Sequence, residues 1–140
     1  MPTDGAREKR QGRVIVGVGV DIVAVARIQK MLDRETDRFL DRAFTAAERD
    51  YCLQRGRPAE SLAARFAAKE AVMKVLGTGW AEGVGFLQVE VVRDDKGNPG
   101  LELNGEAAAV AKKLGIGKLH LSLSHCTDHA VALAVAESAD

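Results

Sequence analysis

Residues Leu62 to Trp80 read LAARFAAKEAVMKVLGTGW and predict a helix around which the rest of the chain is organised. At 100° per residue the bulky apolar side chains fall on one side, and alanines fill most of the remainder. The pattern therefore predicts a helix that is buried nearly all round. Gly77 and Gly79 follow its last apolar residue, which indicates a left-handed cap and a backbone that a ligand can approach closely.

Charged residues interrupt this apolar helix at four positions: Arg65, Lys69, Glu70 and Lys74. Glu70 and Lys74 lie one turn apart on a stripe that is otherwise alanine. A buried charge usually requires a partner or a bound ion, and the small alanines leave room for a ligand beside this pair. The pattern alone also fits an ordinary exposed Glu-Lys pair on a helix surface.

Length and composition predict one globular domain. The chain has 140 residues, of which 46% are hydrophobic and 29% charged, and no apolar run approaches the ~20 residues of a membrane span. The first residues lack the apolar core of a signal peptide, so we expect a cytoplasmic protein with a flexible tail at residues 1–12 and a domain at residues 13–140. Twenty basic and twenty acidic side chains cancel, which argues against a general nucleic-acid binder.

The segment RVIVGVGV, residues Arg13 to Val20, alternates in the manner of a β-strand. Its valines face one way, and Gly17, Gly19 and Asp21 face the other way. Asp21 therefore ends a strand on a face cleared by glycine. Such a carboxylate suits a metal or phosphate site, although many aspartates at this position only cap the next helix.

Two helices are predicted next, from about Val23 to Leu32 and from about Thr36 to Ala43. Basic residues recur along both at a helical spacing: Arg27, Lys30, Arg34, Arg38 and Arg42. If the two helices are continuous, these side chains form one basic ridge, although interleaved acids fit a solvated face of mixed charge equally well. Thr45 and Glu48 form a capping box that begins a further helix, which runs to about Gln54.

The second half of the chain predicts a strand at Val84–Arg93, a turn and short strand ending at Leu103, and a helix from about Glu106 to Leu114. Lys118–His125 and Ala130–Ala136 then alternate as a hairpin. The order of elements predicts an α+β fold, a single domain with the long central helix packed on an antiparallel sheet.

Two isolated features remain. His125 closes its strand on the apolar face, where a purely structural histidine fits as well as a functional one. Cys52 and Cys126 lack the spacing of a zinc site, so we expect two free thiols.

Four segments together, GVGVDIVAVARI, FTAAERDYC, RFAAKEAVMKVLGTG and LSLSHCTDHAVALAV, resemble the bacterial holo-[acyl-carrier-protein] synthases, which are small 4′-phosphopantetheinyl transferases. The similarity extends from about Val14 to the C-terminus. The F/W-x-x-K-E-A-x-x-K signature of the family stands here at Phe66 to Lys74, and its G-[IV]-D signature stands at Gly19 to Asp21. The residues before the first strand are a departure from the family pattern.

The resemblance implies transfer of 4′-phosphopantetheine from coenzyme A to a serine of acyl carrier protein. It implies that Asp21 and Glu70 hold a Mg²⁺ ion on the pyrophosphate, which fits the preference of this ion for a few carboxylates plus phosphate and water. Lys74 is then placed to neutralise or protonate the region where charge develops. The proton of the serine goes either to Glu70 or to a water molecule on the metal, and both alternatives remain open.

Further residues acquire expected roles from the same resemblance. Arg65, Lys69 and His125 are expected to contact phosphates of coenzyme A, with Arg65 at the 3′-phosphate, and Gly77 and Gly79 to lie against the nucleotide. The family forms trimers with active sites between neighbouring subunits.

The resemblance implies an acidic carrier protein, and we expect the basic ridge to dock it at Arg27, Lys30 and Arg34, because Arg27 follows Asp21 by only six residues. Two alternatives stay open: the same chemistry on a carrier of polyketide or peptide synthesis, and a non-catalytic module that binds acidic helical partners.

Overall fold

A long helix packed on an antiparallel sheet forms the core in the computed structural model, which describes residues 12–79 and 83–140. In chain order the elements are β1 (Ile15–Ala24), α1 (Val25–Ala43), α2 (Ala46–Leu53), α3 (Pro58–Leu76), a 3₁₀ turn (Phe86–Gln88), β2 (Val89–Arg93), β3 (Pro99–Leu103), α4 (Gly105–Lys113), β4 (Ile116–His125) and β5 (His129–Ser138). The main sheet has the order β1-β5-β4, and β2 pairs with β3 in a separate ribbon. These observations confirm the predicted α+β fold. The predicted flexible tail lies, except for Gly12, outside the described residues.

The central helix α3 is buried over most of its length, as predicted. It begins at Pro58, where a missing N–H is no loss because the first turn of a helix has no partner for it. It ends at Leu76, and the following Gly77 takes the left-handed conformation with φ 76° and donates its N–H to the carbonyl of Met73. The glycine cap predicted from the sequence is therefore confirmed.

β1 extends four residues beyond the predicted end of the strand at Val20. Ladder pairing with β5 continues through Asp21, opposite Ala132, to Ala24, opposite His129. The first helix therefore starts at Val25, and the prediction of a start near Val23 is wrong. The predicted break between two helical pieces appears as a kink inside α1, where Glu35 has the non-helical angles φ −140° and ψ 40°.

The predicted strand from Val84 is also shorter than expected, because β2 begins only at Val89. The preceding 3₁₀ turn directs the carbonyl of Phe86 toward the buried ammonium of Lys69, and the carbonyl of Val89 does the same. Both carbonyls are thus paired with Lys69 at the point where the 3₁₀ turn passes into β2. The hairpin of β4 and β5 is confirmed, with His125 paired opposite Ala130.

The two faces of β1 differ in an unexpected way. Glycines occupy the face toward α3, and the bulky side chains point outward, with exposures from 44% to 65% for Val16, Val18, Val20 and Ile22. Leu133 of β5 pairs with Val20 and is also exposed. We call these five residues the outer apolar face. Within the described ranges, no helix is long and apolar enough to cross a membrane.

Candidate active site

Strand β1 approaches helix α3 at backbone distance. A Cβ atom built on Gly19 would lie 2.0 Å from the carbonyl oxygen of Ala71, and one on Gly17 would lie 3.3 Å from Val75 Cγ1. Because only hydrogen fits at Gly19, the strand backbone lies directly against this turn of α3. The contact places Asp21, two residues further along the same face, beside the neighbouring part of the helix.

Asp21 and Lys74 meet across this contact. The Lys74 ammonium donates to Asp21 Oδ1 at 3.1 Å and to the carbonyl oxygen of Val20 at 2.7 Å. The Asp21 side chain is 20% exposed and that of Lys74 is 55% exposed, so the pair is open to a ligand. The structure therefore brings together two of the predicted site residues, which are 53 positions apart in the sequence.

Glu70 is half-buried one helical turn before Lys74 and lines two cavities. One cavity, of about 430 Å³, is lined by apolar side chains such as Phe66 and Phe86 and by Arg27; we call it the apolar cavity. The other, of about 270 Å³, is lined by Glu70, Met73, Lys74, Gly77 and Gly79; we call it the glycine cavity. Glu70 thus lies on the wall between the apolar cavity and the glycine cavity.

Gly77 and Gly79 give the glycine cavity an open backbone wall. Their φ angles are 76° and 57°, which favour glycine, and a Cβ on either would meet no atom within 4 Å. The space above this turn is therefore available to a ligand.

The expected Mg²⁺ ion would have Asp21 and Glu70 as its protein ligands, with substrate phosphates and water completing its coordination. Among the residues that the structure describes, no group of three or more His, Cys, Asp and Glu side chains is arranged to hold a metal. Mg²⁺ needs only one or two carboxylates when substrate phosphates and water complete its coordination.

His125 lies at the opposite end of α3. Its Nδ1 is 2.8 Å from Oε1 of Glu60, which also pairs with Arg57 at 3.3 Å. The hydrogen bond from His125 lowers the pKa of Glu60, and Arg57 adds to the effect. Glu60 precedes Glu70 by ten residues, which is about 15 Å along a helix. One chain therefore does not bring His125 to the Asp21–Glu70 pair.

Lys69 does not have the expected position of a phosphate contact. Its side chain is completely buried, and its ammonium donates to Glu48 Oε1 at 2.8 Å and to the carbonyls of Phe86 and Val89 at 3.0 and 2.7 Å. Burial lowers the pKa of Lys69, and the charge of Glu48 opposes that shift. Because all three donors are used inside the protein, Lys69 joins α3 to α2 and β2, and the expectation from the sequence is corrected.

Arg65 points away from Glu70, toward α2. It is 7% exposed, donates to the carbonyl of Ser61 at 3.4 Å, and lies 4.5 Å from the ring centre of Tyr51. Arg65 and Lys69 both precede Glu70 on α3, and both were expected to contact phosphates. Their surroundings thus differ from those of Lys74.

Of the three expected docking residues, Arg27 is the one beside the site. Its guanidinium lies 5.3 Å from the ring centre of Phe66 and lines the apolar cavity with Glu70. Lys30 and Arg34 are exposed on the same half of α1, before the kink at Glu35. Beyond the kink, Arg38 pairs with Glu35, whereas Arg42 lines the apolar cavity together with Arg27.

Sequence reasoning missed two acids that organise the site region. Glu48 was predicted only as part of a capping box, which the structure confirms with Thr45. It also binds Lys69 and the N–H of Val91. Glu60 gave no signal beyond its position in the first turn of α3, where acids are favoured anyway.

Comparison with known proteins identifies the same relatives by sequence and by structure. The model of the 4′-phosphopantetheinyl transferase superfamily matches residues 17–134. Holo-[acyl-carrier-protein] synthase of Koribacter versatilis is 47% identical over 124 residues, which cover 89% of this chain and 99% of that protein. The synthase of Trichlorobacter lovleyi is 43% identical over 125 residues, with the same coverage.

Solved structures agree. The holo-(acyl-carrier-protein) synthase of Bacillus anthracis, in complex with CoA (3′,5′-ADP), superposes with a TM-score of 0.72 at 42% identity and covers 89% of this chain and 97% of its own. The synthase of Neisseria meningitidis gives a TM-score of 0.80 at 34% identity, with 88% and 98% covered. The synthase of Helicobacter pylori, in complex with coenzyme A, gives a TM-score of 0.75 at 32% identity, and the match covers 85% of this chain and 98% of that chain.

Proposed function

This chain belongs to the 4′-phosphopantetheinyl transferase superfamily, and on that premise we propose which of its residues perform the holo-[acyl-carrier-protein] synthase reaction. The enzyme transfers 4′-phosphopantetheine from coenzyme A to a serine of apo acyl carrier protein and releases adenosine 3′,5′-bisphosphate. The observation that carries the assignment is the contact of Lys74 with Asp21, one turn after Glu70, at the wall between two cavities.

In this proposal Asp21 and Glu70 hold Mg²⁺ on the pyrophosphate of coenzyme A. The ion, when bound, withdraws charge from the phosphoryl oxygens and makes the phosphorus a better electrophile. Lys74 neutralises the charge that develops on the departing nucleotide oxygen, since its exposed ammonium can turn from Asp21 toward that oxygen. The bond from the serine oxygen to phosphorus forms as the bridging bond of the pyrophosphate breaks.

The glycine cavity is the proposed position of the nucleotide. Gly77 and Gly79 present bare backbone there, and their positive φ angles leave space above the chain. We keep His125 as a contact for a phosphate of coenzyme A and Arg65 as a contact for the 3′-phosphate. Lys69 is not assigned a phosphate contact, because its N–H donors already bind acceptors inside the protein.

Carrier protein is proposed to arrive over the apolar cavity. Arg27 lines that cavity together with Glu70, and Lys30 and Arg34 extend the positive charge along the first half of α1. A carrier with an acidic surface would be attracted by these charges. Its serine then approaches Glu70 from the side opposite to the nucleotide.

Active sites shared between three subunits are part of the proposal. Two observations support it. His125 contacts Glu60, and Glu60 and Glu70 are about 15 Å apart along α3 within one chain, which supports a neighbouring copy supplying either His125 or Glu70 to a common ligand. The outer apolar face exposes a contiguous row of β-branched side chains on β1, beside Leu133, as expected for a surface that a partner covers. The expected cytoplasmic location is kept as part of this proposal.

A transfer assay tests the function directly. Purified protein is incubated with coenzyme A, Mg²⁺ and apo acyl carrier protein, and the carrier is weighed by mass spectrometry. We expect the carrier to gain the mass of one phosphopantetheine group, and to gain none when Mg²⁺ is removed with a chelator. A carrier of polyketide or peptide synthesis, offered in parallel, distinguishes the acceptors. An unmodified carrier under all conditions would leave a binding module and overturn the proposal.

A further inference from the structure

The carboxylate of Asp21 already has a cation beside it. The Lys74 ammonium donates to Asp21 Oδ1 at 3.1 Å and to the carbonyl oxygen of Val20 at 2.7 Å, so both acceptors belong to β1. Within residues 12–79 and 83–140, Asp21 forms one ion pair, and its partner is Lys74. A cation of the protein itself therefore lies where a metal ligand is proposed.

The two partners of this ion pair differ in their freedom to move. Asp21 is paired in the ladder of β1 and β5 opposite Ala132, and β1 lies so close to α3 that only hydrogen fits at Gly19. The Lys74 side chain is 55% exposed and has a flexible stem of four carbons. The carboxylate is therefore held in place, and the ammonium is the group that can leave.

The ammonium and a divalent cation compete for Asp21. Both are attracted by the same negative charge, and two cations beside one carboxylate repel each other. Mg²⁺ also gives up its water molecules reluctantly, so it needs strong oxygen ligands in order to bind. While Lys74 compensates the charge of Asp21, a metal ion that arrives alone is attracted only weakly.

Coenzyme A offers the Lys74 ammonium another acceptor. Lys74 lines the glycine cavity together with Gly77 and Gly79, where the nucleotide is proposed to bind. The pyrophosphate of coenzyme A carries more negative charge than one carboxylate, and an ion pair as exposed as Asp21–Lys74 contributes little stability. A pyrophosphate in that cavity therefore attracts the ammonium away from Asp21.

We propose that Lys74 is the cation of the metal site until coenzyme A binds, so that Mg²⁺ alone binds weakly and Mg²⁺ together with coenzyme A binds tightly. This inference rests on the proposed function, which assigns Asp21 and Glu70 to the metal. It gives Lys74 a second task besides neutralising the departing nucleotide, because metal affinity then depends on the substrate. Such a dependence is reciprocal, so the bound metal also raises the affinity for coenzyme A.

Binding of Mn²⁺ measures this competition without any transfer reaction. Mn²⁺ prefers the same oxygen ligands as Mg²⁺, and the electron paramagnetic resonance signal of free Mn²⁺ gives the bound fraction. Without coenzyme A, we expect Lys74→Met to bind Mn²⁺ at least about fivefold more tightly than wild type, near the lower end of ordinary coupling between two ligands. Lys113→Met, an equal loss of charge at an exposed position of α4, should leave the affinity unchanged.

A double variant shows whether the gain comes from Asp21. In Asp21→Asn/Lys74→Met the increase should disappear, because the carboxylate that the ammonium releases is gone. Coenzyme A should raise the Mn²⁺ affinity by a larger factor in wild type than in Lys74→Met, since the variant has no ammonium to remove. Lys74 is exposed and methionine is a good helix former, so the substitution keeps the fold.

Two results overturn the inference while leaving the proposed function intact. One is equal Mn²⁺ affinity of wild type and Lys74→Met without coenzyme A. The other is an increase that persists in the double variant, because the charge of Lys74 would then not act through Asp21. If instead Asp21→Asn leaves Mn²⁺ binding unchanged even with coenzyme A present, the metal assignment of the proposed function fails, and the inference fails with it.

Discussion

At the scale of single residues, the chemistry depends on side chains that the sequence places far apart. Asp21 and Glu70 were proposed as site residues because each belongs to a short pattern: a strand end cleared by glycine, and a charge on a stripe of alanines. Lys69 could not be assigned correctly, because its partner Glu48 lies 21 positions earlier in another helix. A capping box already explained Glu48, so nothing in the sequence indicated a second role.

The metal assignment predicts that Asp21→Asn and Glu70→Gln each reduce the transfer rate by at least about 100-fold. Each change removes one negative charge and keeps the size of the side chain, so the midpoint temperature of thermal unfolding should stay near that of wild type. Conversion of apo to holo carrier, followed by mass spectrometry, measures the loss. Glu102→Gln, an exposed carboxylate on β3, is the control. If excess Mg²⁺ fully restored the transfer rate of both variants, these carboxylates would only adjust the affinity for Mg²⁺.

Arg27 has a different predicted effect, limited to the carrier. Arg27→Glu should raise the Michaelis constant for carrier about tenfold at low salt, because it reverses a charge that steers encounter. The difference should shrink as salt is added, and calorimetry should give wild-type affinity for coenzyme A. Arg38→Glu, beyond the kink in α1, serves as the comparison. Equal weakening of coenzyme A and carrier by Arg27→Glu would instead place Arg27 in the phosphate pocket.

The Glu60–His125 contact predicts a pH-dependent contribution to stability. The folded pKa of Glu60 lies below its ordinary value of 4.5, so the contact stabilises the fold fully above that pH. The contribution is lost as pH falls through the lowered value. The free energies of unfolding of wild type and Glu60→Gln, measured by urea titration, should therefore differ at pH 7 and become equal in acid. A difference that stays constant down to pH 2 would contradict the assignment.

At the scale of elements, the C-terminal end of the central helix was predictable, because the left-handed conformation of Gly77 suits a helix cap. Its start at Pro58 lies four residues before the stretch from Leu62 on which the prediction was based. The start of β2 was not predictable. The apolar residues from Val84 onward fit a strand locally, but residues Phe86–Gln88 form a 3₁₀ turn in which the carbonyl of Phe86 accepts a hydrogen bond from the buried ammonium of Lys69. That cause lies in another element and leaves no local pattern.

The contact between β1 and α3 gives a prediction at this scale. Gly19→Ala places a methyl group 2.0 Å from a backbone carbonyl, which no rotamer change relieves. We expect the free energy of unfolding to fall by about 1–3 kcal/mol or more, as for overpacking in a core. Gly56→Ala, where a Cβ meets nothing within 4 Å, should have little effect in the same urea titration. Similar midpoints for both variants would show that the strand can move away from the helix.

At the scale of the whole molecule, the predicted alternation of side chains along β1 was correct, but the alternation did not indicate which face of the strand packs against the core. Apolar valines normally face the core. Here the glycines do so, because the helix backbone needs the space, and the valines remain outside. The proposed association with a second copy of the chain would cover these valines.

Subunit association therefore predicts the effect of a charge on the outer apolar face. Val18→Asp should convert a trimer to monomers, measured by light scattering, and should lower transfer activity in parallel. The reason is that an unpaired carboxylate is strongly disfavoured in an apolar interface. Leu114→Asp, an exposed apolar residue at the end of α4, is the control and should stay trimeric. A Val18→Asp monomer with full activity would contradict the shared sites.

The wall at Glu70 between the apolar and glycine cavities has a kinetic consequence. If carrier and nucleotide occupy separate cavities, neither has to leave before the other enters, and either can bind first. Initial-velocity lines for the two substrates should then intersect, as for a random ternary-complex mechanism. Adenosine 3′,5′-bisphosphate should compete with coenzyme A while leaving carrier free to stay bound. The enzyme would thus release its two products through different openings.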